Sequence, residues 1–204
     1  MHSPISIIIT IYNRQHYLDA ALKSILAQTR RDFELLIWDD GSTDNSVALC
    51  RQYAQQDRRV RVVAAKHQGR VKSLKNAIAQ TKGTYLGWVD SDDLLAPTAL
   101  EETASVLDTH PDVGWVYTDY IDIDQNSTPI GYGQCCSIPY SKEGLLYKFM
   151  TFQFRLIRRC LFEQAGGIRE EFDYAQDYDL CLRLSEISKL KRLKKPLYYY
   201  RQHP

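Results

Sequence analysis

Short apolar runs alternate along the chain with segments in which apolar residues recur at helical spacing. Residues 5–11, 33–38 and 60–64 are apolar runs of the length expected for buried strands. Residues 17–28, which lie between the first two runs, carry apolar side chains at the spacing of one helix face. An alternation of this kind is typical of an α/β fold that is built on a parallel sheet.

The same alternation continues through the rest of the sequence. Further strands are predicted at residues 85–89, 113–120 and 152–157. Further helices are predicted at about residues 44–55, 70–79, 97–107, 144–150, 159–165 and 178–187. From residue 126 to residue 140 the pattern dissolves into Gly, Pro, Ser and Cys, which predicts a loop that can carry specificity. We expect residues 1–204 to form a single domain.

Composition narrows the class of protein without indicating a function. Hydrophobic residues make up 44% of the chain and charged residues 25%, as in ordinary soluble globular domains. The formal net charge of +1 gives no reason to expect nucleic acid as a partner. The five cysteines have no metal-ligand spacing, and their odd number and the adjacent Cys135 and Cys136 disfavour a disulfide framework. A reducing, cytoplasmic location is therefore expected, and the first apolar run is too short to cross a membrane.

Carboxylates directly follow two of the predicted strands. Asp39 and Asp40 follow the second strand, and Asp90 and Asp92 follow the fourth. Ligands of open α/β sheets bind at the carboxyl ends of the strands, and neighbouring carboxylates repel unless a cation or hydrogen-bond donors compensate. Two aspartates spaced two apart in extended chain point to the same side, and Mg²⁺ is held by one or two carboxylates plus substrate phosphates. The sequence therefore predicts a metal and a phosphate ligand beside Asp90 and Asp92.

Aspartate is also common in helix caps and turns, which gives a structural alternative. For Asp44 the helix cap is the preferred interpretation. Asp93 fits either a cap of the helix near Pro97 or a hydrogen bond to the neighbouring backbone. Asp177 fits either the N-cap of the helix over residues 178–187 or a functional carboxylate, and the local sequence leaves these two open.

Two groups of basic residues allow more than one interpretation. The first group is Arg155, Arg158 and Arg159, and the second is the basic run within residues 189–195. A solvated surface is the default for such charges, and contact with an anionic acceptor or with the surface of a membrane is the alternative. His67 is expected to lie on a loop surface.

Several segments together resemble glycosyltransferase family 2. Residues 5–14, ISIIITIYNR, resemble the family's opening strand, and residues 33–44, FELLIWDDGSTD, are similar to its second conserved segment. Residues 83–93, GTYLGWVDSDD, resemble its Asp-x-Asp segment. Residues 166–183, from GGI to QDYDLCLR, resemble its acceptor-side motif, and residues 197–203 resemble its closing segment. The similar segments keep the family's order and span essentially the whole chain.

The resemblance implies a GT-A fold, with a mixed, mostly parallel central sheet flanked by helices. It implies an inverting glycosyltransferase that moves a sugar from a nucleotide-diphosphate donor, with a UDP-sugar favoured, to a hydroxyl of a glycan or lipid-linked acceptor. The expected setting is surface polysaccharide synthesis in the cytoplasm, with a peripheral contact to the inner face of the membrane. The expected cofactor is a divalent metal, Mn²⁺ or Mg²⁺. Residues 1–95 are expected to form the nucleotide-binding half and residues 96–204 the acceptor-binding half.

The resemblance also assigns donor-binding residues by their position in the similar segments. Asp39 is expected to contact the base of the nucleotide, with Thr10 and Tyr12 lining its pocket. Asp90 is expected to reach the ribose or the metal shell. Lys75 falls where the family commonly has Arg and is expected to meet a phosphate, without the bidentate geometry of Arg.

The metal ligands and the general base follow from the same comparison. Asp92 is expected to ligate the metal, with Asp90 as a second ligand, and His203 is expected to approach the metal or the diphosphate. Asp177 falls on the expected general base, which takes the proton of the acceptor hydroxyl. Gln176 stands where the commonest motif has Glu, although a Gln-Asp-Tyr-Asp version resembles one branch of the family. The alternative is a catalytically silent module that binds nucleotide-sugars or glycans.

Overall fold

The computed structural model describes residues 4–203, whose strands form one nine-stranded sheet. The strands are β1 (Ile5–Ile11), β2 (Phe33–Asp39), β3 (Val60–Ala64), β4 (Tyr85–Trp88), β5 (Leu94–Leu95), β6 (Val113–Ile123), β7 (Pro129–Tyr132), β8 (Arg155–Arg158) and β9 (Lys189–Arg201). The α-helices are α1 (Gln15–Leu26), α2 (Ser46–Gln56), α3 (Arg70–Ala79), α4 (Ala99–Thr109), α5 (Arg159–Gln164) and α6 (Gln176–Ile187). Gln134–Ser137 and Gly144–Leu146 are short 3-10 helices.

The order of the strands reverses at β1. Across the sheet the order is β3-β2-β1-β4-β8-β6-β9-β5, with β7 paired to β6. The first four strands are parallel, and β1 has β2 on one side and β4 on the other. Ligands of open α/β sheets bind at such a reversal, beyond the carboxyl ends of the strands. The fold therefore points to the end of β1 as the place of a binding site.

Two cores cover the two faces of the sheet. Ile5, Ile7 and Ile9 of β1 are buried in one core, together with α1 and α4. Ile8, on the opposite side of the same strand, is buried in the other core with α3 and α6. Strands that are buried on both faces read as nearly continuous apolar runs, which explains the mostly apolar run of residues 5–11.

The antiparallel strand β8 connects the two parts of the sheet. It pairs with β4 on one side and with β6 on the other, and both pairings are antiparallel. β9 in turn pairs in parallel with β6 along most of its length. The mixed, mostly parallel sheet expected from the sequence is thus confirmed. Strands from both expected halves, residues 1–95 and 96–204, belong to this one sheet.

The predicted elements differ from the observed ones in the second half of the chain. The predicted loop over residues 126–140 contains β7 and a 3-10 helix, and the helix predicted over residues 144–150 is only a single 3-10 turn. The basic run of residues 189–195 is part of β9, where the ammonium groups of Lys189 and Lys195 pair with Asp112 and Glu102 at 3.0 and 2.6 Å. In residues 4–203 no helix has the length and the apolar character that crossing a membrane requires.

Candidate active site

The acid segment, defined as Asp90–Asp93, follows β4 and forms a turn in which Asp93 N donates to Asp90 O at 3.2 Å. Asp93 points into the protein and is 1% exposed. Its carboxylate accepts hydrogen bonds from the Tyr198 hydroxyl and from the backbone N–H of Arg201, both at 2.7 Å. Burial raises the pKa of Asp93 well above its usual value, and the charge of Asp90 adds to this shift. Asp93 is therefore structural, but its bonds go to β9, so the expected cap near Pro97 is wrong.

Asp90 and Asp92 both line one pocket, and a turn brings them there in place of the extended chain that the sequence predicted. Asp90 Oδ1 accepts a hydrogen bond from Arg70 Nη2 at 2.6 Å. Asp92 Oδ2 lies 2.8 Å from His203 Nε2 and 4.0 Å from Arg14 Nε. Burial raises the pKa of Asp90, while Arg70 lowers it and Asp92 raises it further. Basic side chains from three separate parts of the chain thus offset the repulsion between the two carboxylates.

The pocket has a volume of about 380 Å³ and lies at the reversal of strand order, beyond the ends of β1 and β4. Its walls are residues just after β1, the loop before α3, the acid segment and the end of β9. His203 and Arg201 therefore share a site with Thr10, although they are far apart in sequence. The pocket thus draws residues from both of the expected halves.

Thr10 and Tyr12 both line the pocket. The ring of Tyr12 stacks on the ring of His67 with centroids 4.3 Å apart. His67 Nδ1 lies 2.9 Å from Asp40 Oδ2. His67 lies on an exposed loop, as expected from the sequence, and it also forms a wall of the pocket. The signal in the sequence was its position just after β3, whose carboxyl end opens at the same edge of the sheet.

The two adjacent aspartates at the end of β2 differ in their surroundings. Asp39 is 2% exposed and lies outside the lining of the pocket, since its carboxylate accepts the backbone N–H groups of Gly41 and Ser42. Asp40 does line the pocket. Its carboxylate accepts hydrogen bonds from the N–H of Gly69 at 3.0 Å, from the N–H of residue 68 at 2.9 Å and from the Ser73 hydroxyl at 2.7 Å. Both carboxylates are thus buried and hydrogen-bonded within the protein, and Asp40 is the one of the two that borders the pocket.

The basic residue of α3 that faces the pocket is Arg70 and not Lys75. Arg70 is in the first turn of α3 and reaches Asp90. Lys75 Nζ donates to Glu170 Oε1 at 2.6 Å and does not line the pocket. The negative charge of Asp90 raises the pKa of Arg70, and a cation is thus fixed at the pocket wall.

Asp177 lies in the first turn of α6, so its interpretation as the N-cap is wrong, because Ala175 holds that position. Its Oδ1 accepts the N–H of Tyr178 at 2.9 Å, and its Oδ2 accepts a hydrogen bond from Arg155 Nη2 at 3.0 Å. Asp177 does not line the pocket of the acid segment. After the larger effects of Asp90 and of burial, its charge also contributes to the raised pKa of Arg70 and of Asp90.

The arginines on and after β8 face the interior of the protein and not a solvated surface. Arg155 is 2% exposed, and its guanidinium lies 5.8 Å from the centroid of the Trp88 ring. Arg158 Nε donates to Val113 O at 2.8 Å, and Arg159 Nε donates to the carbonyl oxygen of residue 83 at 2.6 Å. Arg158 and Arg159 thus tie the sheet together, and Arg155 supports Asp177.

The fit of a divalent metal depends on Asp92 and His203. Within residues 4–203 no group of three or more His, Cys, Asp or Glu side chains is arranged to hold an ion. Asp92 and His203 nevertheless converge at 2.8 Å on the wall of the pocket, and Asp90 lines the same wall. Carboxylate oxygen suits Mg²⁺ and Mn²⁺, and such ions are commonly held by one or two carboxylates plus substrate phosphates. The residues therefore fit an ion that shares its coordination with a diphosphate.

The mixed sheet and the acid-lined pocket at its reversal point define a glycosyltransferase domain of the GT-A fold. The chain belongs to glycosyl transferase family 2, whose profile matches residues 6–166. The fold, the family and the class of enzyme expected from the sequence are thereby confirmed.

Curated relatives of the chain are larger proteins. The chain is 32% identical over 194 residues to the chondroitin synthase of Escherichia coli, a match that covers 95% of this chain and 28% of the relative. It is 32% identical over 192 residues to the O-antigen biosynthesis protein RfbC of Myxococcus xanthus, with 91% of this chain and 15% of the relative covered. The chain thus spans less than a third of the length of these relatives.

Solved structures share the fold. TarS 1–349 of S. aureus in complex with UDP-GlcNAc superposes with a TM-score of 0.83 at 21% identity, covering 100% of this chain and 59% of TarS. The mannosyltransferase PcManGT of Pyrobaculum calidifontis, in complex with GDP-Man and Mn²⁺, superposes with a TM-score of 0.71 at 16% identity, covering 99% of this chain and 57% of PcManGT. At these identities the likeness is one of fold.

Proposed function

We propose that this domain transfers a sugar from a nucleotide-diphosphate donor, a UDP-sugar, to a hydroxyl of a glycan or lipid-linked acceptor, with inversion at the anomeric carbon. The observation that carries the proposal is the pocket at the strand reversal, which combines an aromatic wall, fixed cations and two converging carboxylates. Each of these three features matches one part of such a donor. The relatives that are named chondroitin synthase support a glycan acceptor in the synthesis of surface polysaccharide.

The aromatic wall suits the base of the nucleotide. Tyr12 is half-exposed and stacks on His67, so its outer face is available to a planar ring. Asp40, at the base of this wall, is the carboxylate that we assign to the N–H edge of the base, in place of Asp39. Thr10 completes this part of the pocket.

The cationic side of the pocket suits the diphosphate. Arg70 and Arg14 both line it, and guanidinium groups bind phosphate oxygens in bidentate geometry. Asp92, His203 and Asp90 are the residues that would hold a divalent ion there. When bound, such an ion offsets the negative charge that develops on the leaving diphosphate. Arg70 already bonds Asp90, so donor binding exchanges this contact for a phosphate oxygen.

Asp177 is proposed as the general base. Its Oδ2 is held by Arg155 and its Oδ1 by the N–H of Tyr178, which fix the plane of the carboxylate at the start of α6. The oxygen of the acceptor hydroxyl forms the new bond to the anomeric carbon as the bond to the diphosphate oxygen breaks, and the hydroxyl proton passes to Asp177. Attack from the face opposite the leaving group inverts the anomeric carbon.

A donor screen tests the proposal directly. Titration calorimetry with UDP, GDP and their sugar conjugates, with and without Mn²⁺, is expected to show UDP binding that strengthens with the metal. Analysis of products with oligosaccharide acceptors then separates transfer from binding alone. The complete failure of nucleotides to bind would refute the donor site. Tight binding without any transfer would favour the catalytically silent module.

The variant Asp177→Asn tests the base. It is expected to bind UDP and Mn²⁺ as the parent does and to lose transfer by roughly 100-fold or more, because an amide cannot accept the proton. Asp179→Asn is the matched control on the same helix, since Asp179 bonds Arg183 Nε at 3.0 Å in a structural i,i+4 pair. Transfer at the parent rate by Asp177→Asn would remove Asp177 from the mechanism.

A further inference from the structure

We infer that Arg201 is a positioning residue for the metal and donor ligands, because it fixes the backbone of the acid segment to the last strand. This inference rests on the proposed function, since it concerns the same donor pocket. Arg201 ends β9, is 2% exposed and contributes to the pocket wall.

The Arg201 guanidinium bonds two separate turns at once. Its Nε donates to Asp92 O at 2.7 Å. Its Nη1 donates to Asp124 O at 2.8 Å and to Gln125 O at 3.2 Å, and its Nη2 donates to the Ser127 hydroxyl at 3.0 Å. The acid segment is thereby joined to the turn between β6 and β7.

All of these acceptors are carbonyl or hydroxyl oxygens. The guanidinium therefore holds Asp92 by its main chain and leaves its carboxylate directed to the pocket, where it meets His203. A direct ion pair with Arg201 would instead compete with a metal for the carboxylate oxygens. Because Arg201 bonds only the main chain of Asp92, it supports this proposed metal ligand and is not a metal ligand itself.

Neighbouring residues of β9 strengthen the same connection. The backbone N–H of Arg201 donates to Asp93 Oδ1, and the Tyr198 hydroxyl donates to Asp93 Oδ2. The same hydroxyl accepts the N–H of Asp90 at 3.2 Å. The first and last residues of the acid segment are thus both held by Tyr198, while Arg201 holds the third. The guanidinium itself lies over the ring of Tyr17, 4.6 Å from its centroid, so its plane is fixed as well.

Lysine cannot replace these contacts. A guanidinium presents five donors in a rigid fork, whereas an ammonium is a compact charge with three donors on a flexible stem. A lysine at position 201 keeps the charge but cannot bridge Asp92 O and the turn of residues 124–127 together. The conservative change Arg201→Lys therefore keeps the positive charge and removes the fork of donors, so it tests the geometry of the guanidinium apart from its charge.

The matched control is Arg192→Lys. Arg192 is a partly buried arginine of β9, and its Nε donates to Asp119 Oδ1 at 2.8 Å while its Nη1 donates to Ile138 O at 3.0 Å. It shares the strand with Arg201 and also bonds a main-chain carbonyl, whereas its other partner is a carboxylate and both partners lie outside the acid segment. A general loss of stability in β9 should therefore affect both variants. A loss of support for the acid segment should affect only Arg201→Lys.

The experiment measures the binding of Mn²⁺ in the presence of UDP, by electron paramagnetic resonance of the free ion and by titration calorimetry, for folded parent and variants. Arg201→Lys is expected to weaken Mn²⁺ binding roughly 10–100-fold, the usual effect of removing an outer partner of a metal ligand. Arg192→Lys is expected to stay within about twofold of the parent. Thermal unfolding curves verify that both variants are folded at the temperature of the titration.

Each result decides between the proposals. Parent protein that binds neither UDP nor Mn²⁺ refutes the proposed function itself. Parent-like binding by Arg201→Lys, or an equal loss in both variants, overturns the positioning role. If Arg201→Lys does not fold, Ser127→Gly removes one outer anchor at a residue whose φ of 67° glycine accepts readily. This variant is expected to weaken Mn²⁺ binding about threefold, and unchanged binding would overturn the inference.

Discussion

At the scale of single residues, α3 offers two cations with different surroundings. Arg70 lies in the first turn, at the wall of the pocket, and bonds Asp90. Lys75 lies more than one turn later and bonds Glu170 away from the pocket. Because the helix rotates by about 100° per residue, a shift of five positions turns a side chain to another face.

Substitution of these two residues tests which one meets the donor. Arg70→Ala is expected to weaken UDP binding about 10-fold, because it removes a charge-assisted contact to phosphate. Lys75→Ala, the control on the same helix, is expected to change UDP binding by less than about twofold. Calorimetry measures both. A larger loss in Lys75→Ala than in Arg70→Ala would return the phosphate contact to Lys75.

Which residue of a pair faces the ligand was not predictable from the sequence. Asp39 and Asp40 are adjacent at the end of a strand, so their side chains point to opposite sides, and the sequence does not say which side is the pocket. For the acid segment the sequence predicted that Asp90 and Asp92 lie on the same side, and both line the pocket, although the segment forms a turn and not the extended chain that this prediction assumed. Arg201 gave no local signal, because its partners are main-chain atoms of turns that are distant in sequence.

At the scale of elements, ion pairs at the ends of helices and strands set the local connections. Asp57 ends α2, and its carboxylate accepts hydrogen bonds from the N–H and the Nε of Arg59 at 2.9 and 3.0 Å. Arg59 Nη2 also donates to Leu26 O at the end of α1. The side-chain bond to Arg59 lowers the pKa of Asp57.

The pH dependence of stability follows from the sign of that shift. A carboxyl group with a lowered pKa in the folded state contributes stability above its unfolded pKa of about 4 and loses it as pH falls through the folded pKa. The difference in unfolding free energy between the parent and Asp57→Asn is expected to be about 1 kcal/mol or less at neutral pH and to shrink below about pH 4. Urea unfolding between pH 7 and pH 2.5 measures it. The difference in unfolding free energy between the parent and Arg59→Gln should shrink over the same acid range. A difference that stays constant down to pH 2.5 would contradict the role of the Asp57–Arg59 pair.

Elements of the first half were predictable because their periods are strong. β1, β3 and α3 lie where the apolar pattern placed them, and β1 is buried on both faces of the sheet. β9 and β7 were hidden because their stabilisation comes from pairing with β6 and not from an apolar run of their own. In β9 lysines alternate with partly buried residues, and local composition alone indicated a charged surface.

At the scale of the whole molecule, one sheet holds the residues of both expected halves. β8 is bonded on both sides, to β4 and to β6, and the two cores run along the sheet on either face. Loss of either half therefore exposes a buried edge of the other, and we expect the two to unfold together.

A single thermal transition is the expected result. Circular dichroism in the far and near ultraviolet should give coincident melting curves, because secondary structure and packing are lost in one step. UDP with Mn²⁺ should move the whole curve upward by mass action on the folded state. Two separate transitions, of which only the lower one responds to UDP, would show that residues 1–95 and 96–204 are independent units.

The pairing of Asp93 with Tyr198 and Arg201, over sequence separations of 105 and 108 residues, has a consequence for biosynthesis. A ribosome delivers the acid segment long before it delivers the strand that holds it. The buried carboxylate must wait for its partners through the synthesis of that whole stretch, and contacts so distant in sequence are among the slowest to form. A nascent chain therefore cannot assemble this pocket until β9 has emerged from the ribosome, so the order of translation itself delays formation of the site.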